Sequence, residues 1–170
     1  LRGGGSKDFH ALALRGELLD TRALQGLVSY EPSELVVTVR AGTSLAELQA
    51  LLAEQGQCLA FDPPHFAAGP PQGKMRPSWR GSGYAPASER GELYFSNGST
   101  LGGMVAAGLS GPARASVGAV RDFVLGIEIL NGRAELVRFG GQVMKNVAGY
   151  DVSRLLAGSW GTLGLITEVS

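Results

Sequence analysis

A chain of 170 residues is one domain by length, long enough to bury roughly two thirds of its unfolded surface in a single core. Its 15 basic and 15 acidic residues cancel, and no basic block could neutralise a run of phosphates, which argues against a polynucleotide partner. The single cysteine, Cys58, leaves no disulfide framework and no Cys/His metal spacing, fits a reducing compartment, and stands in a chain without the run of about 18 apolar residues that spans a membrane.

Glycine is the outlier. There are 26, well above the ordinary usage of about 7%, with no Gly-X-Y period, so they mark tight turns and close backbone approaches. The chain opens on Leu1 and a glycine loop with no initiator methionine, which reads as a piece of a longer protein. In LRGGGSK, residues 1–7, the end of a strand runs into Gly3, Gly4 and Gly5, with Ser6 and Lys7 closing the loop. Such a loop can turn several N–H groups inward as an anion nest, or be a plain surface turn. It is neither a Walker loop nor a GxGxxG fingerprint.

Residues 12–19 and 26–30 read as short strands around a turn at 20–24, and 35–40 as a strand with Leu35, Val37 and Val39 on one face. Ser44 with Glu47 three residues on is a capping box opening a helix; Leu45, Leu48, Leu51 and Leu52 form its apolar stripe and Gly56 its stop. In FDPPHF, residues 61–66, two prolines impose an extended path and place His65 between aromatics. Neither His65 nor His10 has a partner at nucleophile or metal spacing, so both read as structural.

Residues 69–91, rich in proline, glycine and basic side chains, predict a long loop or insertion, after which 92–96 recover a strand. The next stretch, STLGGMVAAGLSGP at 99–112, pairs Gly102 with Gly103 ahead of small residues and a short helix expected over 104–109. A ligand there must be met by main-chain N–H groups and the start of that helix. From Arg121 the pattern alternates; Asn131-Gly132 signals a type I′ hairpin, and AELVRF returns antiparallel. Gly140-Gly141 turns the chain, Asp151 caps a helix over 152–157, and Gly158 ends it. WGTLGLITEV then supplies a glycine turn and a strand whose edge N–H and C=O groups can bracket a flat heterocycle. Lys145 and Tyr150 invite acid–base roles, but a snorkelling lysine and a tyrosine packed on a helix account for them better. The class is α+β with a ligand between two lobes, the first at 1–67 and the second at 99–170, separated by the loop or insertion at 68–98.

The three glycine stretches, in this order and spacing, resemble the FAD-binding domain of the vanillyl-alcohol oxidase and p-cresol methylhydroxylase family. RGGGSK looks like its pyrophosphate loop, TLGGMVAAGLSG like its second phosphate and flavin-contacting segment, and KNVAGYDVSRLLAGSWGTLGLITEV like its closing segment. FDPPHF, GLSGPARASVGAVRDFVLG and FGGQVMKNVAGYDVSRLLAGSWGTLG are similar, within that family, to the FAD-binding subunits of bacterial glycolate oxidase complexes.

The resemblance implies a two-lobed α+β domain incomplete at both ends, lacking the first strand, helix and strand and the substrate cap, with 68–97 longer than the family pattern. It implies FAD as the cofactor and no metal. The pyrophosphate would be held by the backbones of Arg2, Gly3, Gly4, Gly5, Ser6 and Lys7 and of Thr100, Leu101, Gly102, Gly103 and Met104. The backbone near Gly161, Gly164 and Ile166 would face the flavin or adenine, with Pro63 and Pro64 close by. Ser6 stands where members that bind flavin covalently carry histidine, so binding would be noncovalent.

The activity implied is oxidation of glycolate or a related 2-hydroxy acid to the 2-oxo acid, with the catalytic base outside this chain. The partners implied are a catalytic flavoprotein and an iron–sulfur subunit, in the cytoplasm or peripherally at the inner face of the membrane. The alternative is a noncatalytic FAD-binding partner subunit supporting a separate catalytic flavoprotein. A third reading keeps only a glycine-rich sugar or nucleotide module.

Overall fold

A computed structural model of the chain describes residues 1–8, 16–66, 98–141 and 149–170. Its strands are β1 (Leu27–Glu31), β2 (Val36–Arg40), β3 (Gly126–Leu130), β4 (Leu136–Gly140) and β5 (Leu165–Val169). The helices are α1 (Leu45–Glu54), α2 (Leu101–Ala106), α3 (Arg114–Val117) and α4 (Val152–Leu156), with 3-10 turns at Pro32–Glu34 and Val120–Asp122. The strands form one five-stranded sheet in the order β1-β2-β5-β3-β4, so strands from 1–67 and from 99–170 share it. Every pairing is antiparallel.

Side-chain alternation divides the sheet into two chemically distinct faces. Val39, Ile127, Ile129, Ile166 and Val169 are buried with Leu45, Leu48 and Leu52 of α1 and Leu101, Met104 and Val105 of α2. Across the other face runs a charged row set by the register, with Arg40 opposite Glu168, Glu168 opposite Glu128, and Glu128 opposite Arg138. The Arg138 guanidinium lies 2.8 Å from Glu128 and 3.1 Å from Glu168. It holds the Glu128 carboxyl below the usual carboxylate range. A cleft on this face is lined by Thr38, Glu128, Arg138, Glu168 and Ser170, among others, and by none of the residues expected to hold a cofactor. The β3–β5 register shifts at Glu128/Ile129, so Thr167 is the extra residue of a bulge, its hydroxyl 2.9 Å from a Glu128 carboxylate oxygen.

Several local expectations give way to tertiary contacts. Leu35 leaves the predicted strand face: it ends the first 3-10 turn with φ +57 and is 78% exposed, while Val36 and Thr38 are buried. The Ser44–Glu47 box does not form, because Ser44 pairs with Thr100 in an isolated bridge and the Leu45 amide is taken by the Ser99 carbonyl at 2.9 Å. Helix α2 starts at Leu101 rather than at 104, since Thr100 caps it by accepting from the Gly103 amide at 3.2 Å. Low glycine propensity is overridden there by close packing.

The β3–β4 loop is no two-residue type I′ turn. Ala134 donates to the Asn131 carbonyl at 3.0 Å and takes the left-handed φ of +60. The Asn131 side chain accepts from the amides of Arg133 and Glu135, which fixes a three-residue loop. Strand β5 is no edge: it lies between β2 and β3, because Ile166 and Val169 both belong to the core. No strand is described over 16–19, where only Asp20 bridges back to Arg2. Tyr150, at 95% exposed, packs on nothing like a helix face. The expectations for His10, for 69–91, for 92–96 and for Lys145 lie outside the described residues.

Other expectations hold. Strand β2 and helix α1 form where the pattern puts them; Leu45, Leu48 and Leu52 are buried, and Gly56 closes α1 with φ +67. Asp151 caps α4 by accepting from the Arg154 amide at 3.2 Å, and Gly158 follows it at φ +86.

Leu45 is fully buried, so Leu45→Ala is expected to lower unfolding free energy by about 2–5 kcal/mol in denaturant melts. Leu35→Asn, exposed and left-handed, should leave it unchanged or raise it by up to about 1 kcal/mol.

Candidate cofactor site

The site is assembled from backbone before any side chain enters. Arg2 is anchored on both sides: its amide donates to the Leu19 carbonyl at 2.9 Å, and its carbonyl accepts from the Thr21 amide at 2.9 Å and the Thr21 hydroxyl at 3.2 Å. The chain then folds over 98–100. A Cβ on Gly3 would lie 2.8 Å from the Thr100 hydroxyl oxygen, and one on Gly4 only 2.0 Å from the Gly98 carbonyl oxygen. Gly5 adopts φ +73 and its carbonyl accepts from the Asp8 amide at 3.1 Å, which closes the loop. Gly4 is thus demanded by contact with backbone, Gly3 by the Thr100 side chain, and Gly5 by its left-handed φ. Among the described residues, the amides of Gly3, Gly4, Gly5, Ser6 and Lys7 meet no hydrogen-bond acceptor, although all five residues are half-buried.

Thr100, Leu101, Gly102, Gly103 and Met104 lie beneath that loop, and α2 commits its first amides internally. Leu101 donates to the Thr43 carbonyl at 2.9 Å, Gly102 to the Ala41 carbonyl at 2.8 Å, and Met104 to the Thr100 carbonyl at 2.9 Å, while the Gly103 amide goes to the Thr100 hydroxyl. Gly102 faces the core, where its Cβ would sit 2.6 Å from that of Ala41. Gly103 faces the loop: its Cβ position is 3.0 Å from the Thr100 hydroxyl oxygen and 3.8 Å from Lys7 Nζ. This is where the first two glycine stretches meet.

FDPPHF buttresses the same place. Pro63 is fully buried, and Phe61 stacks on Phe123 with ring centroids 5.1 Å apart. The Phe66 amide donates to the buried Ser99 hydroxyl at 2.9 Å, and Lys7 Nζ stands 5.4 Å over the Phe66 ring. Partial burial lowers the His65 pKa against the opposing pull of Asp62.

The third glycine stretch reaches in from the far end of the chain. Gly158 donates to the Val105 carbonyl at 2.9 Å and Trp160 to the Ala106 carbonyl at 2.8 Å, tying the turn to the end of α2. Gly161, at φ +75, has its Cβ position 3.0 Å from a Leu1 methyl. Gly164 and Ile166 lie further along: Gly164 packs on Ile129 and the Leu130 carbonyl, and the Ile166 side chain is buried in the core opposite Ile129. The structure therefore gathers 2–7, 100–104 and Gly161 at one locus, with Pro63 behind it and Gly164 and Ile166 in the adjoining sheet.

Charge is distributed unevenly here. Arg2 is ion-paired to Asp8. Lys7 is half-buried, touches only the Ser6 hydroxyl oxygen at 3.2 Å among hydrogen-bond partners, and has no carboxylate partner among the described residues. Burial pushes its pKa down. Amides without an acceptor and a cation without a carboxylate, among the described residues, thus share one loop, a combination that suits an anion. No cluster of three His, Cys, Asp or Glu suited to a metal occurs among the described residues. Thr21, Thr43, Ser99 and the 41–43 turn, which orient this locus, carried no sequence signal. Asp8 could have been suspected from its charge and its nearness to Arg2.

Residues 1–70 match the FAD binding domain family. A solved alkyldihydroxyacetonephosphate synthase superposes over 99% of the chain and 27% of its own length, with a TM-score of 0.64 at 22% identity. The chain thus shares the fold of this part of the synthase, and over residues 1–70 it is similar to an FAD binding domain. Over all 170 residues it is 44% identical to glycolate oxidase subunit GlcE of Escherichia coli, covering 40% of that protein. It is 28% identical over 169 residues, or 99% of the chain, to the mitochondrial D-lactate dehydrogenase [cytochrome] of Arabidopsis thaliana, covering 24% of it. It is 43% identical over 70 residues, or 41% of the chain, to glycolate oxidase subunit GlcD of Bacillus subtilis, covering 15% of that one. The chain thus spans well under half the length of these curated relatives.

The first glycine loop leans on the Asp20–Arg22 turn through the Arg2–Asp20 bridge. Hydrogen bonds and charge from Arg22 lower the Asp20 pKa to about 2. A depressed carboxyl contributes stability above its unfolded value, near 4, and loses it as pH falls towards the folded value. Thermal melts between about pH 5 and 2 should show a stability loss that Asp20→Asn flattens.

Proposed function

We propose that this chain is the flavin-holding part of an FAD-dependent oxidoreductase subunit that takes part in oxidising glycolate or a related 2-hydroxy acid to the 2-oxo acid. The observation that carries the reading is the convergence of the 3–7 loop on α2, with open amides and a lone cation, in a chain with this degree of likeness to a glycolate oxidase subunit. The match over 99% of this chain to a D-lactate dehydrogenase supports 2-hydroxy acids as the substrate class.

When bound, FAD supplies the acceptor for the hydride equivalent that leaves the alcohol carbon. The residues of this chain bind and orient. The amides of Gly3, Gly4, Gly5, Ser6 and Lys7 take the pyrophosphate, the Arg2 backbone being committed to Leu19 and Thr21; Gly103 permits close approach from below, and Gly161 borders the ring systems, with Gly164 and Ile166 in the adjoining sheet and Pro63 supporting the wall. Ser6 offers no imidazole for a covalent flavin bond, so the cofactor is held noncovalently. The proton of the substrate hydroxyl goes to a base on the remainder of the protein, because Asp8, the acidic residue beside the loop, is already engaged by Arg2. The subunit names of the relatives support assembly with further chains, among which we place a catalytic flavoprotein and an iron–sulfur subunit.

That want of a free base among the described residues at the locus also favours a second reading, a noncatalytic FAD-binding partner of a separate flavoprotein subunit. Anaerobic mixing separates them. Full-length protein loaded with FAD and desalted should keep its flavin bands and bleach on adding glycolate; yellow protein that stays oxidised favours the partner reading, and colourless protein refutes both.

A side chain at Gly4 must displace the Gly98 carbonyl, so Gly4→Val is expected to weaken FAD retention at least about tenfold, with secondary structure kept in circular dichroism. Unchanged retention would count against this placement of the pyrophosphate.

A further inference from the structure

We propose that the Lys7 ammonium is the counter-charge of the cofactor's pyrophosphate, a side-chain contact added to a cradle otherwise made of backbone. The inference rests on the FAD reading above and goes beyond it by assigning the charge to one atom.

Three observations lead there. Lys7 Nζ sits where the loop meets α2, 3.8 Å from the Cβ position of Gly103 and 5.4 Å over the Phe66 ring, so its stem is directed into the locus instead of out to solvent. The two cations of the loop also differ: Arg2 is neutralised by Asp8, whereas Lys7 is half-buried without a carboxylate among the described residues. A cation so placed is costly in the empty protein, and an arriving dianion removes the cost. Finally, α2 has little to offer an anion, because the amides of Leu101, Gly102 and Gly103 are spent on Thr43, Ala41 and Thr100. The loop amides supply hydrogen bonds without formal charge, and Lys7 supplies the charge.

The test is a titration of the apo full-length protein with FAD and, separately, with riboflavin, which has the ring but no phosphate, followed by flavin fluorescence. Lys7→Met should weaken FAD binding about 10- to 100-fold, the range of one charge-assisted hydrogen bond, and change riboflavin binding less than about twofold. Lys7→Arg should recover most of the loss. The apo melting temperature of Lys7→Met should stay level or rise, since an uncompensated half-buried charge is gone. In the unsubstituted protein, added salt should weaken FAD binding and leave riboflavin untouched, which tests the charge without any variant.

Lys7→Met binding FAD like the parent, equal losses for FAD and riboflavin, or a salt-insensitive parent would each overturn the assignment while leaving FAD as the cofactor. A parent protein that binds riboflavin and FAD equally weakly, or neither, would overturn the FAD reading itself.

Discussion

Backbone lying directly on backbone is the constraint from which the rest of this structure follows. The Gly4 contact with the Gly98 carbonyl, the Gly102 contact with Ala41, and the Gly111 contact with the Asp62 carbonyl each occupy space a Cβ would need. These contacts bring segments more than ninety positions apart in sequence, such as 3–4 and 98–100, into one layer. Once there, the loop faces the first turn of α2, whose N–H donors are committed to the 41–43 turn, and its own amides meet no acceptor among the described residues. Unpaired amides in a half-buried loop carry a desolvation cost that a bound anion relieves. The binding capacity is therefore a by-product of how tightly the scaffold closes elsewhere.

Electrostatics sharpen the same point. Arg22 with Asp20, Arg138 with Glu128 and Glu168, and Arg154 with Asp122 and Asp151 are all ion-paired. These pairs are solvent-facing and worth little individually. The Arg138 pairs offset the carboxylates of the sheet's polar face, whereas Lys7 at the glycine locus has no carboxylate among the described residues. Neutral overall charge and a local excess of positive charge are compatible because pairing, not composition, decides where a field survives.

Much of the fold was legible in the chain. Alternation in 126–130 and 136–140 marks strands because burial on one face selects every second residue, and the leucine stripe of α1 follows from its 3.6-residue period. Glycines with left-handed φ, such as Gly56, Gly140 and Gly158, announce turns because side chains disfavour that region. The failures share one cause. Ser44 has the right neighbour for a capping box but is drawn into a bridge with Thr100, and Asn131-Gly132 has the right pair for a tight hairpin but Asn131 finds better acceptor work for its side chain. Local propensity is worth about a kilocalorie per mole, less than a tertiary contact can offer.

By itself the sequence determined that three glycine-rich stretches exist, that they are too sparse in side chains to act except through backbone, and that the core is α+β. It also carried the likeness by which FAD was expected, since long motifs survive as text. Only the tertiary structure decided which of those glycines face protein and which face open space, that β5 lies inside the sheet, and that Lys7 alone of the loop's cations lacks a carboxylate among the described residues. The physical reason is range. Turn preference and periodicity act over a few residues and are written locally, whereas close approach and charge pairing depend on neighbours that the chain meets only after folding.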